Sequence, residues 1–162
     1  MPLIEPLLLA CTRISTFSAE RLLTAASGFL FERDGRLFLV TNRHVLLDPA
    51  AGHHPDRIEF VVHTDAVDLT RFTSVPEPLY EKGKGRWRQG KDSGGEIDVA
   101  VLELDRSTLP KGAVLRAFTP AHLAPLDAIG IGHPLLVVGF PLGFYDTVHH
   151  LPVARQAAVA SA

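Results

Sequence analysis

The sequence predicts an all-β fold, and three observations carry that prediction. Asp34-Gly35 sits between two β-rich runs in SGFLFERDGRLFLVT, residues 27–41, which is the strongest short hairpin signal a sequence offers. Further short runs rich in Val, Ile, Phe and Thr follow along the chain, each closed by turn residues. No amphipathic helix of three or more turns is convincing, Ser18 to Ala26 being the one stretch that leaves a helix open.

Taken in order, the N-terminal run MPLIEPLLLAC is broken by Glu5 and Pro6 and lacks a basic leader, so it reads as a strand or packing segment rather than an export signal. The first hairpin pairs Phe29 to Glu32 with Arg36 to Thr41. Residues 57–64, RIEFVVHT, and 67–73, VDLTRFT, read as a second hairpin about Asp65-Ala66. Residues 76–96, PEPLYEKGKGRWRQGKDSGGE, have neither a helical nor a strand period and read as a long surface loop. IDVAVLEL, 97–104, is a further strand. After Pro110 comes a loop, TPAHLAPLDAIGIGHP, then the strand LLVVGF at 135–140, the turn PLGFYD, and a last strand-like segment, LPVARQAAVAS, at 151–161.

The chain has 162 residues, enough for one well-buried domain. Sixteen Lys and Arg against eighteen Asp and Glu leave a net charge of −2, so no global field invites nucleic acid or an anionic membrane. The five cations Lys82, Lys84, Arg86, Arg88 and Lys91 flank Trp87, and they read as a solvated loop with one anchoring aromatic rather than a nucleic-acid contact. The longest apolar stretch elsewhere, PLLVVGFPLGF at 134–144, falls far short of the roughly 18 residues a membrane span needs. Cys11 stands alone and reads as a half-buried thiol packing as a small hydrophobe. No cofactor is implied, and the expected location is the cytoplasm.

Two side chains carry chemical interest. LFLVTNRHVL places His44 just after a buried strand, where rigid backbone can hold a side chain at the rim of a sheet. EIDVAVLEL places Asp98 at the mouth of another strand, followed by an apolar run expected to shield it from water, so that its charge needs a partner such as an imidazole N–H. In the Ser-His-Asp mechanism the carboxylate fixes the histidine tautomer and the histidine takes the serine proton. Read alone, His44 is more often a satisfied structural histidine and Asp98 a turn-capping carboxylate than a catalytic pair.

The ordered phrases SGFLF, LVTNRHVL, DVAVLEL, VVGFPLGFYD and LPVARQAAVAS resemble the trypsin-like serine peptidases of the HtrA and trypsin-2 type over about residues 27 to 161. The resemblance implies a first β-barrel over residues 1–150 and, over 151–162, a stub similar to the first strand of a second barrel that is otherwise largely absent. It implies that His44 is the general base, Asp98 the orienting acid, and Ser27-Gly28 a packing position leading into the first hairpin. Such families continue to a Gly-Asn-Ser-Gly-Ser-Pro or Gly-Asp-Ser-Gly-Gly-Pro segment, whereas this sequence stops at Ala162, so the chain alone is expected to be inactive. Ala157 departs from the family pattern, where Gly usually follows the Gln. A polypeptide is the implied substrate of the full-length form.

Asp92-Ser93-Gly94-Gly95 repeats the core letters of the serine motif, but it lies in the loop leading into the Asp98 strand and reads as a flexible turn; Ser161, near the end, has no oxyanion donors after it. His53-His54 with His63, and His149-His150, read as surface histidines rather than metal ligands, because adjacent residues on extended chain point to opposite sides. The competing function is a non-catalytic barrel acting as a protein-interaction module, self-associating through the face left by the missing barrel.

Overall fold

The computed structural model describes residues 5–161. Its body is one antiparallel sheet of seven strands in the order β5-β4-β1-β2-β3-β9-β8. The members are β1 (Cys11–Ser18), β2 (Arg21–Arg33), β3 (Arg36–Thr41), β4 (Arg57–His63), β5 (Phe72–Pro78), β8 (Trp87–Asp92) and β9 (Gly95–Leu104). A two-residue hairpin, β6 (Tyr80–Glu81) with β7 (Lys84–Gly85), links β5 to β8, and β10 (Pro134–Gly139) pairs with β11 (Val153–Ala158) in a separate two-stranded sheet. One short helical turn, α1 (Arg43–Leu46), follows β3. None of the described helices is long and apolar enough to cross a membrane.

The all-β prediction holds. Asp34 and Gly35 close the β2–β3 hairpin with φ of 52° and 74°, the left-handed pair that a tight turn matched to strand twist requires. Alternation puts Leu37 and Leu39 inward from β3, opposite Leu104 and Leu102 of β9. With Ile14, Ile58, Phe60, Leu46 and Leu79 they form one core of side chains almost wholly removed from water. The sheet wraps this core without pairing its edge strands β5 and β8. The chain between them is held by the Arg86 N–H donating to the Leu79 carbonyl at 2.9 Å.

Three elements differ from expectation. Residues 18–26 form no helix: β1 turns at Ala19, φ 49°, and runs back as β2, since pairing of both strands satisfies a backbone that a short helix would leave open at its ends. The partner of β4 begins at Phe72, not Val67. Asp65 accepts the Val67 and Asp68 N–H groups and Asp68 accepts that of Thr70, which coils 65–71 into a turn. Pro76 and Pro78 disguise β5 in the sequence, yet an edge strand paired only with β4 tolerates both.

The stretch 76–96 is likewise largely strand, broken by tight turns, rather than one long loop. Trp87, Arg88 and Gln89 pair with Leu102, Val101 and Ala100, and the charged composition that hid β8 suits an exposed sheet edge. Of the N-terminal run, residues 1–4 lie outside the described residues and Pro6–Ala10 form a 3-10 turn. Cys11 is half-buried, and burial pushes its thiol pKa up.

Gly28 is a packing position in the literal sense: a Cβ there would stand 2.5 Å from Ile14 Cδ1 and 3.1 Å from the Val40 carbonyl oxygen. Ser27 ties β2 to the turn after β10, its Oγ accepting the Phe140 N–H at 2.7 Å.

Candidate catalytic dyad

The strand β3 ends at Thr41 and the chain folds at once into the single turn α1, whose Val45 and Leu46 are buried in the core. That anchorage fixes the backbone of His44 while its side chain remains 54% exposed. Asp98 comes from β9, at an irregularity in its pairing with β8. Gln89 faces Ala100 and Lys91 faces Glu96, so β9 carries two extra residues across the gap, with Asp98 among them. Such bulges re-aim a side chain that a regular ladder would direct along the sheet face. Gly90 opposite makes room, since a Cβ there would lie 2.7 Å from Ile97 Cδ1.

The two residues meet at two points. His44 Nδ1 lies 2.6 Å from Asp98 Oδ2, and the His44 main-chain N–H donates to Asp98 Oδ1 at 3.0 Å. A third residue joins them: the Asn42 amide donates to Asp98 Oδ2 at 3.2 Å and to the Asp98 carbonyl at 3.0 Å. The His44 main-chain N–H, above all, holds the Asp98 carboxyl below the usual carboxylate range. Burial opposes it, and the imidazole and the Asn42 amide add to it. An ionised carboxylate only accepts hydrogen bonds, so His44 Nδ1 must carry the proton, which leaves the Nε2 lone pair free to take another.

The expected shielding of Asp98 by the apolar run is not found. Its side chain is 48% exposed, because the buried members of that run, Ala100, Leu102 and Leu104, point into the core from the regular part of β9 beyond the bulge. Among the described residues no hydroxyl hydrogen-bonds to His44 Nε2.

Residues 26–161 match the family described as a trypsin-like peptidase domain. The chain belongs to that family. The matched span runs from the middle of β2 through β11 and includes α1, the β9 bulge and the dyad. No curated protein matches the chain.

The other trypsin-like motif letters, Asp92-Ser93-Gly94-Gly95, form the turn between β8 and β9. Asp92 Oδ1 accepts the Gly94 N–H at 2.7 Å, and Gly95 at φ 115° returns the strand, so Ser93 sits at a hairpin tip. Ser161 lies beyond β11, exposed. Of the histidines read as surface residues, His53 Nε2 meets the Val45 carbonyl at 2.9 Å and His54 is exposed, whereas His63 is buried, its Nε2 2.6 Å from the His149 carbonyl of the segment that packs against it. His149 Nδ1 lies 2.7 Å from Asp146, and His150 stacks on Phe72 at 3.7 Å between ring centroids. Among the described residues no group of three His, Cys, Asp or Glu side chains is gathered as metal ligands. Of the five cations about Trp87, Arg86 is bound to buried Glu77 at 2.9 Å and Lys91 to Glu96 at 3.4 Å.

Asn42 is the site residue that sequence reasoning missed. The available signal was an Asn heading a helical turn, and that reads as an N-cap.

Proposed function

We propose that the chain is the N-terminal part of a serine endopeptidase, with His44 as general base and Asp98 as its orienting acid. Residues 1–150 would be its first barrel and 151–162 the opening of a second. The two-point contact between His44 and Asp98 carries the reading, because it fixes both ring orientation and tautomer in the form a base needs. A serine hydroxyl supplied from outside these residues would surrender its proton to His44 Nε2 as its oxygen attacks the peptide carbonyl. The C–N bond then breaks and His44 returns the proton to the leaving amine. Asp98 keeps its negative charge and stabilises the imidazolium that forms between the two steps.

A fluorophosphonate probe tests this. The 162-residue chain should remain unlabelled, whereas the full product of its gene should be labelled at one serine and lose labelling on His44→Ala. Stoichiometric labelling at Ser93 or Ser161 of the 162-residue chain, or labelling of the full product that ignores His44→Ala, would overturn the assignment.

One observation favours a second reading, a protein-interaction module that associates with a second copy of itself. Leu123, Leu126, Ile131, Leu136, Leu142 and Phe144 each expose two thirds or more of their surface, an unusual amount of apolar area for a solvated segment. Light scattering that shows a clean monomer at high concentration would remove that reading.

A further inference from the structure

Asn42 occupies the N-cap of α1 with extended backbone, φ −72° and ψ 144°, yet its side chain makes no capping hydrogen bond. An N-cap Asn ordinarily turns its side-chain oxygen onto the N–H of the second or third helical residue. Here the second helical residue is His44, and its N–H is taken at 3.0 Å by Asp98 Oδ1 from β9. The capping acceptor is therefore supplied across the sheet, and the Asn42 amide is released to donate to Asp98 at both its carboxylate and its carbonyl. Asp98 caps the turn that carries the base, and the residue displaced from that cap clamps Asp98 in return.

We infer that Asn42 is a positioning residue of the dyad, holding the Asp98 carboxylate in the plane that receives His44 Nδ1. The inference rests on the reading of His44 as base. Asp98 sits in a bulge rather than a regular ladder, so β8 and β3 do not fix its backbone as they fix Ala100. The Asn42 bond to the Asp98 carbonyl supplies that missing restraint, and the second bond, to Oδ2, loads the same oxygen that faces the imidazole. An amide suits this role and a carboxylate does not, since only the amide donates.

The N-cap preference itself gives a discriminating test, because Asn, Asp and Ser cap almost equally well. If Asn42 were only a cap, Asn42→Ser and Asn42→Asp would both leave the dyad as it is. As a positioning residue it makes two different predictions, read by NMR on the 162-residue chain. In Asn42→Ser the hydroxyl is too short to reach, so the Asp98 carboxyl should titrate closer to its ordinary value and the His44 Nδ1–H should exchange with solvent about tenfold faster. In Asn42→Asp a second carboxylate faces the first where a donor stood, so the Asp98 carboxyl should titrate higher than in the parent.

Unchanged Asp98 titration and ring-proton exchange in a folded Asn42→Ser protein would overturn the inference. Should that variant fail to fold, an unchanged Asp98 titration in Asn42→Asp would do the same. In the full product of the gene, Asn42→Ser should lower kcat with little change in KM. Activity that survives His44→Ala would sink the dyad reading instead, and the NMR result on Asn42 would stand apart from it.

Discussion

His44 and Asp98 exchange two hydrogen bonds, one from the imidazole and one from the main chain of the same residue, so a single carboxylate sets both the backbone and the ring of the base. Replacing Asp98 by Asn should separate these functions. The Asn oxygen can still accept the His44 main-chain N–H, whereas its amide then faces Nδ1 and forces the proton onto Nε2. Nitrogen NMR of the 162-residue chain should show the Nε2–H tautomer in Asp98→Asn and the Nδ1–H tautomer in the parent. In the proposed endopeptidase the same change should cost on the order of 10⁴ in kcat, as tautomer reversal does in a serine protease triad.

The lowered pKa of Asp98 also carries a pH dependence with a definite sign. The native carboxyl titrates below its unfolded value of about 4, so its stabilising contribution is complete above about pH 4 and disappears as the pH falls through the native pKa. Urea midpoints measured in acid should converge for the parent and Asp98→Asn, having differed at neutral pH. A constant difference down to the lowest pH would refute the linkage.

His150 should act with the opposite charge. Its ring lies between Phe72 and Tyr145, its Nδ1 is buried without a partner, and burial, then His63 and Arg13, push its pKa down, with Asp146 opposing. The unfolded chain therefore takes the proton first, and the stability His150 contributes is complete above about pH 6.5 and is lost as the pH falls through 6.5 toward the native pKa. His150→Asn keeps a side chain that tolerates the left-handed backbone at φ 53° and cannot titrate, so it should flatten the fall in urea midpoint between about pH 7 and pH 5. An unaltered slope would refute the linkage to His150.

Gly28→Ala should destabilise the sheet by about 1 to 3 kcal/mol, because the new methyl meets Ile14 Cδ1, a fully buried atom with nowhere to move, and a carbonyl behind it. Ile14→Val removes Cδ1. The double variant should therefore be more stable than the sum of the two single losses predicts, a coupling readable from urea denaturation.

Ser27→Ala would leave the N–H of nearly buried Phe140 unpaired and should cost about 1 to 3 kcal/mol. The loss should concentrate where β2 meets the turn after β10, so hydrogen exchange at Phe140 should quicken more than at Leu39 in the centre of the sheet. Equal acceleration at both amides would contradict this.

What the sequence determined by itself were features encoded within a few neighbouring residues. Asp34-Gly35 demanded a left-handed turn wherever it fell, and the alternation in β3, β4 and β9 decided which side chains entered the core. The phrase around His44 likewise placed it just after a buried strand, whereas Asp98, read at the mouth of its strand, lies within β9. Only the tertiary structure decided that the proline-bearing run from Phe72 is a strand and that the charged run from Trp87 is another, because each is an edge whose single partner, not its own composition, makes it a strand. It also decided that Asp98 faces solvent from a bulge and that Asn42 clamps it instead of capping its own turn. Those outcomes depend on a hydrogen-bond exchange between residues 56 positions apart, and no local pattern encodes that distance being closed.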